Sequence, residues 1–206
     1  MAQPTFVDLL SAVRSLYVDF YRAAVKDKRS FEILRFKRPA VAVGVHVAIG
    51  DGSNPQDSRF NLPIRLDMMN GTAKEPKVYK VEHDKRVEFD PIAASFPGGV
   101  TVMIEPFSWD ACDVAAEGDL DDWHLVLEWF ERWFDRADRL HADADGLALV
   151  IHEMSEPEAT KLGTAFTVDF GAAPIDAFVD LMLTLDRKGM KNIRVGTFYR
   201  RSPCLQ

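Results

Sequence analysis

Apolar positions along the chain follow two periods, and they predict a succession of helices and strands. In residues 5–28, Phe6, Leu9, Leu10, Val13, Leu16, Tyr17, Phe20 and Tyr21 recur at steps of three and four. That spacing puts them on one face of a helix. Thr5 followed by Asp8 resembles a capping box at its start. In residues 40–49 the period changes to two. Val41, Val43, Val45, Val47 and Ile49 share one face of a strand, while Ala40, Ala42, Gly44, His46 and Ala48 share the other. Gly50 to Pro55 is turn chemistry throughout. Residues 62–69, 78–83 and 100–105 read as further strands, with Pro97-Gly98-Gly99 before the last. Strands that follow one another without helices between them predict an antiparallel meander.

A second helix is predicted over residues 119–140, with Asp119, Asp121 and Asp122 at its positive end and Arg136 and Arg139 near its negative end. Strands at 147–152 and 165–170 follow. A third helix spans 174–188, with Pro174 in its first turn and Gly189 just past its end. Its core positions are Ile175, Phe178, Leu181, Met182 and Leu185. A last strand is predicted over 193–199. The expected fold is α+β, a mixed or mostly antiparallel sheet with about three packed helices. The chain of 206 residues suits a single domain, 1–206, and no Gly-, Ser- or Pro-rich linker divides it.

Composition narrows the setting. The longest apolar run has 10 residues and contains His46, whereas a membrane-spanning helix needs ~20. The first residues lack a basic, apolar leader pattern. Two cysteines, Cys112 and Cys204, make no disulfide framework. These features predict a cytoplasmic protein with no membrane partner. Charge is segregated. Residues 91–186 hold 20 acidic side chains and 4 basic ones, whereas residues 187–206 hold 6 basic and none acidic. So acidic a segment repels nucleic-acid phosphates and attracts basic partners, unless the basic tail folds back and neutralises part of it.

Familiar catalytic motifs are absent. There is no Gly-rich phosphate loop, nucleophile elbow, H-E-x-x-H helix or C-x-x-C pair. His141, Asp143 and Asp145 form the best metal-like string, but a polar helix-to-strand connection explains it better, and no cofactor is expected. Asp51, Ser53 and Asp57 lack the Gly and Glu of a calcium loop. His124 and Glu128 stand four apart on one helix face and suit an ordinary pair. His46, His83 and His152 fall on predicted strands. An enzyme reading would start from His46, His141, His152 and the carboxylates at 143 and 145.

The second helix is the unusual feature. Its apolar arc, which includes Trp123, Trp129, Phe130, Trp133 and Phe134, covers about 200°, wider than the stripe of a typical surface helix. Either two layers of the domain cover it, or the edge formed by Leu125 and Trp129 is exposed. The opposite face holds Asp121, Glu128, Glu131, Asp135 and Asp138. An exposed aromatic anchor rimmed by acids would suit a basic protein partner. The expected function is a non-enzymatic protein-binding module, of the character of an immunity-type inhibitor. Its contact residues would be Asp121, Leu125, Glu128, Trp129, Glu131 and Asp135. The alternatives are an enzyme with scattered residues, or a structural homodimer joined along the Leu125 and Trp129 edge.

Overall fold

The computed structural model describes residues 5–36, 47–48, 62, 64–65, 68–72, 75–79, 85–118, 122–135, 149–161 and 163–198. Helix α1 runs Phe6–Phe36, and its start is the expected capping box. The Asp8 backbone N–H donates to Thr5 Oγ1 at 3.2 Å, and the Thr5 N–H donates back to Asp8 Oδ2 at 3.0 Å. Two small antiparallel pairs follow. β1 (Val47–Ala48) pairs with β2 (Ile64–Arg65), and β3 (Met68–Thr72) with β4 (Glu75–Tyr79). The remainder of the predicted strand 40–49 lies outside the described residues. The predicted meander is corrected here, because neither pair belongs to the main sheet.

That sheet contains β5 (Ile92–Ser95), β6 (Thr101–Ile104), β7 (Cys112–Glu117), β8 (Glu153–Met154), β9 (Glu158–Thr160), β10 (Gly163–Asp169) and β11 (Lys191–Gly196). Helices α2 (His124–Phe134) and α3 (Ile175–Arg187) complete the elements. The strand order is β5-β6-β11-β7-β10-β8, with β9 also paired to β10. β7 and β8 run the same way with β10 between them, and α2 connects them. β10 and β11 run the same way with β7 between them, and α3 connects them. Two split β-α-β units are thus interleaved, the pattern of ferredoxin-like sheets. The β5–β6 hairpin extends this core through a parallel pairing of β6 with β11. The sheet is therefore mixed, and the fold is α+β as expected.

The side chains facing the helices form one core. Val102, Ile104, Cys112, Val114, Phe166, Val168, Ile193 and Val195 all point into it and are almost wholly buried. Phe107, Trp109, Phe170 and Phe178 stack at its centre, with Trp109 and Phe170 ring centroids 4.7 Å apart. Helix α1 docks alongside α3. Phe6 packs against Phe96 and Phe178. Arg14 donates to the carbonyls of Ala173 and Ala172 at 2.7 and 2.8 Å, which fastens α1 to the turn that precedes α3. Gly189 (φ 76) closes α3 in the left-handed conformation that glycine adopts without steric cost.

Candidate functional site

The wide apolar arc of α2 is explained by two covering layers. Trp123 meets Phe166 of the sheet edge to face. On the other side, Trp129 Nε1 donates to the Ala177 carbonyl at 3.0 Å, and Trp133 Nε1 donates to Asp180 Oδ2 at 2.9 Å, both on α3. Trp129 is only 1% exposed. Of the two arrangements that the sequence allows, cover by two layers is the one found, and Trp129 is corrected from contact residue to core. Trp129 belongs to the α2–α3 seam, because its indole satisfies its N–H there while its rings stay dry. Asp135 is also buried, as the left-handed cap of α2 with φ 49. Leu125 is half-buried, and Glu128 and Glu131 are exposed. His124 Nε2 lies 3.3 Å from Glu128 Oε1, the pair that their spacing predicted. Asp121 lies outside the described residues, as do Asp138, His141, Asp143, Asp145, His46 and His83.

Part of the basic C-terminal stretch does fold back onto the acids. Lys188 reaches Asp122 at 2.7 Å, Arg194 reaches Glu105 at 2.6 Å, and Arg187 approaches Asp180 at 3.8 Å. Hydrogen bonds from Lys188 and from the His124 N–H hold the Asp122 carboxyl below its ordinary range. Glu128 and Glu131 are exposed on α2 and belong to none of these three pairs.

A second surface is found where sequence patterns gave no signal. The face of the sheet away from the helices carries Ala93, Met103, Arg194 and Ala115 in one cross-strand row. Next to this row β11 is bulged. Asn192 and Ile193 together stand opposite Ala116 of β7, and Asn192 has φ 47. Ile193 fills the core while Asn192 turns out, its Nδ2 donating to Glu117 Oε2 at 2.6 Å. The result is a cleft of about 320 Å³, lined in part by Met103, Ala115, Glu117, Asn192, Arg194 and Phe198. A bulge that re-aims a side chain in this way is a recurrent feature of functional surfaces. The Phe198 ring lies against Gly196, where a Cβ would stand 2.4 Å from it. The Phe198 N–H donates to the buried Asp113 Oδ2 at 2.6 Å. The wall of the cleft is therefore fixed from below. Met103 is one of two large apolar side chains exposed among the described residues.

The remaining candidates do not form an open site. His152 is 3% exposed, with Nδ1 3.9 Å from Asp169 Oδ1 and its ring edge-on to Tyr21. Gly171 (φ 50) packs against that ring so closely that a Cβ would fall 2.3 Å from it. Burial, and then the charge of Asp113, push the Cys112 thiol well above its ordinary pKa, which disfavours the thiolate. A groove of about 490 Å³ beside α3 is lined by Asp180 and Asp186. Both carboxylates are engaged, Asp186 by the Gly98 N–H and Asp180 by Arg132 and Trp133. No helix among the described residues is long and apolar enough to cross a membrane. No protein-family model, curated protein or solved structure matches the chain.

Proposed function

We propose that the protein is a non-enzymatic binding module that docks a basic protein partner through its acidic surface, in the manner of an immunity-type inhibitor. The observation that carries this reading is where the acids lie. Of the 15 described acidic residues in 91–186, only Asp110, Asp113, Asp135 and Asp169 are buried. The rest reach the surface, accompanied in that stretch by Arg132 and Lys161 among the described basic residues. Asp122, Glu105 and Asp180 are matched by Lys188, Arg194 and Arg187, and the acidic excess that remains would steer an oppositely charged partner and raise its association rate.

With Trp129 enclosed, the contact residues that remain on α2 are Leu125, Glu128 and Glu131. The test is capture from native lysate by the tagged protein, run in parallel with the Glu128→Lys, Glu131→Lys double variant. A basic protein held at low salt, released at high salt and retained about tenfold less by the variant supports the reading. Equal retention by the variant removes α2 from the interface.

A further inference from the structure

We propose that the cleft on the open face of the sheet is the socket in which the basic partner places an arginine or lysine side chain; this rests on the reading above. The site already holds one guanidinium. The Cζ atom of Arg194 lies 4.9 Å from the Phe198 ring centroid, and its Nη2 donates to Glu105 Oε1 at 2.6 Å. A ring face and a carboxylate are the two groups that recognise a guanidinium.

Glu117 supplies a second carboxylate on the cleft. Its hydrogen-bond donor is the neutral Asn192 amide. Lys191 is its register partner across the strands, yet the two form no ion pair, while Arg194 is matched by Glu105. The charge of Glu117 is thus the one in the cleft without an ionic partner among the described residues, and a carboxylate accepts from several donors at once. Met103 and Ala115 provide the apolar floor over which the methylene stem of an arginine or lysine would lie. The volume, about 320 Å³, sits at the low end for small-molecule pockets. It has room for one long side chain.

The experiment is amide NMR of the isotope-labelled full chain, titrated with an acetylated, amidated Gly-Arg-Gly-Arg-Gly peptide and with its lysine and glutamate counterparts. The basic peptides should shift the amides of Met103, Ala115 and Phe198. Glu117→Gln and Phe198→Ala should each weaken that response by about two- to fivefold. Met103→Lys, at an exposed position, keeps the test open should Phe198→Ala fail to fold, and it should weaken the response by about two- to fivefold by adding a cation at the mouth. Shifts confined to Glu128, Glu131 and their neighbours would overturn the socket while leaving acidic docking in place. Equal shifts with the glutamate peptide would also overturn it. No shift with any peptide would count against both.

Discussion

The two faces of the main sheet are made by the same strands, and residues one position apart differ in nearly everything. On the helix-covered face Val102, Val114, Phe166 and Val195 are enclosed in a single aromatic and aliphatic core. On the other face the neighbours of Val102, Val114 and Val195 are Met103, Ala115 and Arg194, which line a cleft. A strand alternates its side chains, so one backbone serves both stability and recognition. Changes on the first face are limited by packing. Those on the second are limited by whatever docks there.

The largest effect expected from this contrast is on the covered side. Trp129→Ala removes a buried indole and its hydrogen bond to Ala177, and it should cost about 3–5 kcal/mol in denaturant unfolding. A loss below about 1 kcal/mol would mean that the α2–α3 seam is not part of the core. Asp113 lies on the open face but is buried, and it accepts from the Thr167 hydroxyl at 2.6 Å as well as from Phe198. Asp113→Ala leaves those donors without this acceptor and should cost about 1–3 kcal/mol. It should also loosen Phe198, visible as sharpened or shifted ring resonances.

A smaller effect belongs to the start of α1. The Thr5 hydroxyl, and then its N–H, hold the Asp8 carboxyl below its ordinary value. The unfolded chain therefore takes up that proton at higher pH than the folded one. The stabilisation is complete above the ordinary aspartate range and fades as pH falls through the lower folded value. Thermal melts across the acid range should show this slope in the wild type and a shallower one in Asp8→Asn. Least of all should come from Met103→Thr. Exposed and free of buried contacts to lose, it should change stability by no more than about 0.5 kcal/mol. A larger loss there would show that the open face is covered within the fold and would break the comparison between the faces.

Where local pattern and burial agree, the elements follow the sequence. α3 and β10 lie where the periodicity of Phe178, Leu181, Leu185, Phe166 and Val168 places them, and the Thr5–Asp8 cap forms as its spacing predicts. β7 is the instructive miss. It lies between β11 and β10 in the sheet, yet Cys-Asp-Val-Ala-Ala-Glu carries little β-branched signal. Its Asp113 reads as a loop residue until Thr167 and Phe198, distant in sequence, supply its partners. β5 and β9 are short and were equally silent, and on the far side of β10 the ladder is Glu153–Met154, reached from the predicted strand at 147–152 through the His152 N–H, which donates to the Asp169 carbonyl. The cleft was invisible for a related reason. It depends on a bulge at Asn192 and on the register that brings Met103, Arg194 and Ala115 side by side.

By itself the sequence determined the class of fold, the faces of α1 and α3, the cap of α1 and the acidity of the surface. All of these depend on periodicity, composition or neighbours within one turn. Tertiary structure alone decided that Trp129 is core and not anchor, that β11 enters between β6 and β7, and that Glu117, Arg194 and Phe198 share one cleft. Each of those outcomes depends on which strands pair and which helices touch, and such contacts are set by packing between segments that no local pattern encodes.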